Sequence, residues 1–189
     1  MNSNVVLDTL WENYLVAEDC LRIAQRSVKN NDISSIQGTD FMETPRDKAF
    51  LKIEKCRKNT DDYFVLAFWA SFERCLFDYI QAQGRIIFGT QPSVFNEKFH
   101  QKIETQMEYW KSNEVLDLFK AIIDPNLIGQ AKQVKQYRDW VAHRNPNKPL
   151  PVNVTPQIAY DILSIITKQL DQHNFTSTTN ISFDINHEG

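Results

Sequence analysis

Apolar residues recur at every third or fourth position through most of this chain. From Val5 to Lys29 they form one helical face, and the segments 93–110, 113–123 and 126–144 carry a similar spacing. Because an α-helix turns once every 3.6 residues, this period predicts four amphipathic helices.

Two more helices are predicted before residue 82. The pair Thr44-Pro45 provides an N-cap and a favoured first helical residue, and the helical pattern continues to about Lys58. A second N-cap with first-turn acids lies at 60–62 and precedes a helix that reaches Ile80. This second helix is apolar on more than one face, as is typical of a central, buried helix.

The end of the chain predicts one further helix and a tail. Prolines at 146, 149 and 151 predict an extended connection, since proline cannot continue a helix. The pair Thr155-Pro156 then starts a helix that runs from Ile158 to Leu170. The polar, β-leaning tail from His173 is expected to be disordered or to pack as an edge.

These elements predict an all-α fold, a roughly antiparallel bundle of about six to seven helices. With 189 residues the chain suits one domain, which we place at 1–172, followed by a polar C-terminal tail at 173–189. The segment 30–40 is polar, contains glycine and is expected to be a loop.

Composition argues against several kinds of site. The chain has 5 glycines and no glycine-rich phosphate loop, so we expect no nucleotide cofactor held in that way. Its three cysteines, Cys20, Cys56 and Cys75, form no C-x-x-C pair and are expected to be buried free thiols. Glu97 and His100 have the spacing of half a di-iron ligand set, but the second half is missing, so we expect no metal and no cofactor.

The N-terminal residues lack the basic and apolar regions of a secretion signal. No apolar run of about 18 residues occurs anywhere, so no membrane span is expected. We therefore expect a cytoplasmic protein that does not enter the membrane.

Positive charge is concentrated late in the chain. The net charge is −3, yet the stretch 131–148 holds five cations and one acid, a local balance of +4. The cations are Lys132, Lys135, Arg138, Arg144 and Lys148. If the protein binds a polyanion such as RNA, we expect it to bind here.

The same stretch contains "RDWVAH", in which Arg138 and His143 are separated by four residues and Asp139 directly follows the arginine. This motif resembles the signature of the HEPN superfamily, an arginine, four to six residues and a histidine. The segment "FVLAFWASFERCLFDYI" also resembles the apolar helix that precedes the motif in such domains, with Glu73 as its embedded acid. The resemblance covers about 60–172.

The resemblance implies a metal-independent endoribonuclease that acts as a homodimer, in keeping with a toxin–antitoxin or anti-phage system and a protein antitoxin or regulator. Histidine titrates near neutral pH and can move a proton, while an arginine fork matches phosphate. Arg138 and His143 are therefore the expected catalytic residues, with Asp139 four residues before His143 to hold its imidazole. The residues expected to guide or bind RNA are Arg144, Lys135, Lys132 and Glu73.

Five helical residues place Arg138 and His143 roughly 140° apart, so one regular helix does not aim both at one phosphate. A dimer in which two motifs line one shared cleft, as the resemblance implies, or distortion near Asn145-Pro146 would resolve this. Two alternatives stay open. One is a non-catalytic HEPN-like binding or scaffold module; the other is a structural helical protein, in which His143 and Arg144 suit a helix C-terminus and Arg138 pairs with a buried acid such as Glu73.

Overall fold

The computed structural model describes residues 3–89, 93–107, 109–144, 149 and 151–184. Within these residues the chain forms seven α-helices and no strand, which confirms the predicted all-α bundle. No helix in the described ranges carries an apolar stretch long enough to cross a membrane. The helices are α1 (Ser3–Asn30), α2 (Ile33–Ile36), α3 (Arg46–Gly89), α4 (Val94–Met107), α5 (Ser112–Leu118), α6 (Pro125–His143) and α7 (Pro156–Asp184), with a 3-10 turn at Phe119–Ala121.

Helix α3 is one continuous helix of 44 residues, where the sequence predicted two. The predicted break at 60–62 was wrong, because no glycine or proline occurs between Arg46 and Gln83 to interrupt the backbone hydrogen bonds. The two acids at 61 and 62 are therefore not first-turn residues, and their carboxylates accept hydrogen bonds from tyrosines on other helices.

Helix α6 runs antiparallel to α3. Arg138 contacts Glu73, whereas Arg144, six residues later on the chain, contacts Asp62, which precedes Glu73 on α3. The main core forms between α3 and the helices around it, which confirms that the second half of α3 is central and buried. Its largest fully buried side chains on α3 are Phe68, Trp69, Phe72 and Leu76.

A second, smaller apolar cluster holds α1, α2 and the first turns of α3 together. Its buried residues are Val28, Ile36, Ala49 and Ile53, and none comes from α6 or α7. Helix α6 ends at the level of Asp62, since Arg144, just after its last residue, reaches that carboxylate. Residues 20–60, which comprise the end of α1, the short α2 and the start of α3, therefore form a projection beyond the main bundle, which we call the arm.

Three local expectations are corrected. Helix α7 continues past Leu170 to Asp184, so the expected disordered or edge-forming tail is helical as far as that residue, and 185–189 lie outside the described residues. No glycine or proline lies between Pro156 and Asp184 to end the helix earlier. Helix α2 occupies part of the predicted loop. Cys75 is buried as expected, but Cys20 and Cys56 are exposed, because both lie on outward faces of the arm.

Three tyrosine–aspartate hydrogen bonds connect the helices. They are Tyr14–Asp61 at 2.9 Å, Tyr137–Asp62 at 2.8 Å and Tyr160–Asp8 at 2.8 Å. Burial raises the pKa of each phenol most, and the neighbouring carboxylate raises it further. Together they raise the pKa of Tyr160 to about 12. An ionised phenol would lose its hydrogen bond and repel the carboxylate beside it.

We expect the free energy of unfolding to fall as the pH rises from about 10 through about 12. An unfolded tyrosine has a pKa of about 10, so above that pH the unfolded chain releases protons that the folded chain retains. Urea unfolding between pH 8 and pH 11 measures this fall. Tyr160→Phe should make it shallower, whereas Tyr63→Phe, at an exposed position, should leave it unchanged. An equal fall in the wild type and Tyr160→Phe would contradict the assignment.

Candidate functional site

Helix α6 carries the whole Arg–His motif, and its sequence explains both of its ends. Asp124 caps the start by accepting a hydrogen bond from the backbone nitrogen of Asn126, and Pro125 is the first helical residue. The helix ends at His143, and Arg144 adopts a left-handed conformation with φ 40° and ψ 43°. The buried residues of α6 are Ile128, Ala131, Val134, Tyr137 and Val141, which fix the face turned towards the core.

Arg138 lies at the edge of that buried face and is held by its own chain. Its Nη2 donates to Glu73 Oε2 at 3.2 Å, and its Nη1 donates to Asp139 Oδ1 at 2.8 Å. Its guanidinium carbon also lies 5.5 Å from the ring centroid of the buried Trp69, within the range of a cation–π contact. Ser112 Oγ donates to the other oxygen of Glu73 at 2.7 Å, so the acid is satisfied on both sides.

Asp139 makes no hydrogen bond or ion pair with His143 in this chain. Its Oδ2 accepts from Lys135 Nζ at 2.6 Å, and its Oδ1 accepts from Arg138. The spacing argument placed Asp139 and His143 on one face of the helix, but two cations on the same helix engage both oxygens of the carboxylate. The structure therefore does not bring together the expected Asp139–His143 pair.

His143 is exposed in the last turn of α6 and makes no hydrogen bond or ion pair with a described residue. Arg138 is only about one quarter exposed and turns towards α3. The two motif side chains thus point to different sides of the helix, as the angle between their positions predicts. Among the described residues, no group of three or more His, Cys, Asp or Glu side chains could hold a metal ion.

Arg144 connects the end of α6 to the middle of α3. Its Nη2 lies 3.0 Å from Asp62 Oδ2, while Tyr137 donates to the other oxygen of that carboxylate. The side chain of Asp62 is 2% exposed and that of Arg144 is 51% exposed, so the pair is buried on one side only. This contact holds Arg144 in a backbone conformation that a residue with a side chain rarely adopts.

The positive charge expected at 131–148 is largely neutralised within the fold. Lys132 pairs with Asp117 at 2.7 Å, and Lys135, Arg138 and Arg144 pair with the acids already described. The four described cations of this stretch thus face four carboxylates, three of which come from other helices. Lys148 lies outside the described residues. Asp117 also pairs with Lys120, so among the described residues the positive charge of this stretch is reduced rather than removed.

Sequence reasoning identified Glu73 as a residue near the motif, and it paired Arg138 with that acid in one of the open alternatives. It did not identify Asp62, Ser112 or Trp69 as part of the site. Asp62 is 82 residues from Arg144, and Ser112 is 39 residues from Glu73. Contacts over such separations leave no periodic signal in a single sequence.

We expect Arg144→Ala to lower the free energy of unfolding by about 2 kcal/mol, because it leaves one oxygen of the buried Asp62 without a partner. Arg144→Gly loses the same ion pair but adopts a positive φ freely, so its loss should be about 1 kcal/mol smaller. Urea unfolding measures both. As a control, Arg74→Ala removes a pair with Asp78 that is exposed on both sides, and should change stability by less than about 0.5 kcal/mol. Equal losses for Ala and Gly would show that the backbone of Arg144 is not strained.

Comparison with known proteins identifies no relative. No family model, no curated protein and no solved structure matches the chain. The motif and the packing around it are therefore the basis for a functional proposal.

Proposed function

We propose that this protein is a metal-independent endoribonuclease of the HEPN type, which works as a homodimer and cleaves RNA by attack of a 2′-hydroxyl on the adjacent phosphate. The observation that carries the proposal is the ion pair between Arg138 and Glu73. It joins the two parts of the resemblance, the Arg–His motif and the acid of the apolar helix, across 65 residues of sequence.

Arg138 retains the capacity to bind phosphate. A guanidinium has five N–H donors, and carboxylates engage two of them here, one from each terminal nitrogen. The contacts with Glu73, Asp139 and Trp69 fix the guanidinium in place, so little ordering is needed when a phosphate binds. Its role in the proposal is to bind the non-bridging oxygens, where negative charge develops in the transition state.

His143 is the proton-transfer residue of the proposal. The 2′-oxygen forms a bond to phosphorus as the bond to the 5′-oxygen breaks, leaving a 2′,3′-cyclic phosphate and a 5′-hydroxyl. One proton leaves the 2′-hydroxyl and one reaches the departing 5′-oxygen, and His143 moves one of them as general base or acid. Its exposure at the end of α6 lets it reach a substrate that is not enclosed by its own chain.

A second copy of the chain completes the site in this proposal. Arg138 and His143 point to different sides of α6, and the two carboxylates beside Arg138 and Lys135 cancel their charge. A single chain therefore offers no strong local attraction for a phosphate. When two motifs line one cleft, His143 of one chain can face Arg138 of the other. A protein antitoxin or regulator that covers this cleft would be the second partner.

A non-catalytic HEPN-like binding or scaffold module is the second candidate. The engagement of Arg138 by Glu73 and Asp139, with Ser112 closing the network, favours it, since the same contacts serve to fix α6 on α3. This candidate keeps the RNA- or protein-binding surface and lacks turnover.

His143→Ala should abolish RNA cleavage and change the free energy of unfolding by less than about 0.5 kcal/mol, because the side chain is exposed and packs on nothing in the core. The assay is incubation with mixed single-stranded RNA in EDTA, with detection of 2′,3′-cyclic ends. Gln130→Ala, at an exposed position of the same helix, is the control and should cleave like the wild type. Intact RNA with a stable wild-type dimer would favour the binding module.

Mixing two inactive variants tests the shared cleft. Arg138→Lys keeps a positive charge beside Glu73 but loses the planar fork that binds phosphate, so it should fold and be inactive. Unfolding and refolding it together with His143→Ala should restore part of the cleavage, since a mixed dimer holds one intact arginine and one intact histidine. No recovery in a mixture that forms dimers would contradict a cleft built from two chains.

A further inference from the structure

Three lysines form a row along one face of the arm. Lys48, Lys52 and Lys55 are all exposed, and they follow each other at intervals of four and three residues on α3. At about 100° per residue they lie within an arc of about 60°, and about 4.5 to 6 Å separates successive positions along the helix axis. We call them the lysine row.

The lysine row points towards the motif. Asp62 follows Lys55 by seven residues, which places it about 10 Å further along α3 and about 20° around the helix from it. That carboxylate holds Arg144, the residue next to His143. The row therefore leads along a single helix to the end of α6 where His143 is exposed.

Unlike the cations of the motif, the lysines of the row are not neutralised. None of the three makes an ion pair with a described residue, and Lys52 has only a 3.4 Å contact with the hydroxyl of Thr44. By contrast, Lys132 and Lys135 in α6 each lie within 2.7 Å of a carboxylate oxygen. Three unpaired cations thus lie in one row on the arm, a surface for which the sequence did not predict polyanion binding.

Charge is divided between the arm and the rest of the chain. Residues 20–60 hold nine cations and five acids, a balance of +4, whereas the whole chain has a net charge of −3. The remaining residues therefore carry −7. A molecule charged in this way approaches a polyanion with its positive projection first, and its acidic part disfavours binding elsewhere.

We propose that a single strand of RNA lies along the arm, with successive phosphates on Lys48, Lys52 and Lys55, and so reaches the cleavage site at His143. The proposal rests on the endoribonuclease activity proposed above and names where its substrate is held. Flexible lysines bind phosphates as point charges without reading bases, so this surface supplies affinity and direction rather than sequence preference.

The test compares two triple variants, each in a His143→Ala background so that the RNA stays intact. One carries Lys48→Gln, Lys52→Gln and Lys55→Gln; the matched control carries Lys98→Gln, Lys102→Gln and Lys168→Gln, three exposed lysines outside the arm. Both lose the same charge, and glutamine retains helix propensity, so thermal unfolding should confirm that both fold. Binding of a fluorescein-labelled single-stranded RNA is measured by anisotropy at several salt concentrations.

The arm variant should bind about 100-fold more weakly at 0.1 M salt, and its slope of log K against log salt should be smaller by about 2, since each phosphate contact with a single strand contributes about 0.7 to that slope. The control variant should bind with nearly the wild-type affinity and slope. Equal weakening in both variants would overturn the proposal, because it would show dependence on total charge alone.

Cleavage by the same two variants with His143 restored separates this proposal from the activity itself. If the wild type cleaves RNA and the arm variant binds RNA with unchanged affinity, the arm is not the substrate path. That result would leave the proposed ribonuclease activity unaffected. If the wild type does not cleave RNA but binds it in a way that depends on the lysine row, the ribonuclease proposal is overturned. The arm is then supported as an RNA-binding surface. Binding of the arm to phosphatidylserine vesicles, without binding to RNA, would overturn the RNA path.

Discussion

The uninterrupted helix α3 is the constraint on which the rest of this structure depends. Its 44 residues span about 66 Å, far more than the main core needs, and the contacts that hold Arg138 and Arg144 from another helix end on it. The apolar second half of α3 forms the centre of the bundle. The charged first half continues beyond α6 and becomes the arm, so one helix places the lysine row and the motif in a fixed relation.

The second half of α3 determines how Arg138 is used. Glu73 and Trp69 lie one turn apart on that helix and hold the guanidinium from two directions. A fixed arginine with free donors is preorganised for phosphate, but its neighbouring carboxylates reduce the net attraction. In the proposed activity, the carboxylates of Glu73 and Asp139 are therefore the reason for requiring both a second copy and a separate source of positive charge.

Two adjacent carboxylates on α3 also connect the helices. Asp61 and Asp62 are neighbours in the sequence, yet one accepts a hydrogen bond from α1 and the other from α6. Burial raises the pKa of Asp61, because removal from water penalises the charged form more than the hydrogen bond from Tyr14 favours it. Asp62 joins this network to the end of α6 through Arg144, so bundle stability and site geometry depend on the same residue.

The sequence by itself determined the all-α class, the extent of α1 and α6 and the central position of residues 65–80, because helical periodicity is a local property. It did not determine that α3 is continuous, since 60–62 carries the signals of a helix start. In the folded chain, Asp61 and Asp62 instead accept hydrogen bonds from Tyr14 and Tyr137 on other helices. Nor did it locate the available positive charge. Counting residues at 131–148 gave +4, but the acids that neutralise Lys132, Arg138 and Arg144 come from other helices, and only the tertiary structure brings those charges within contact distance.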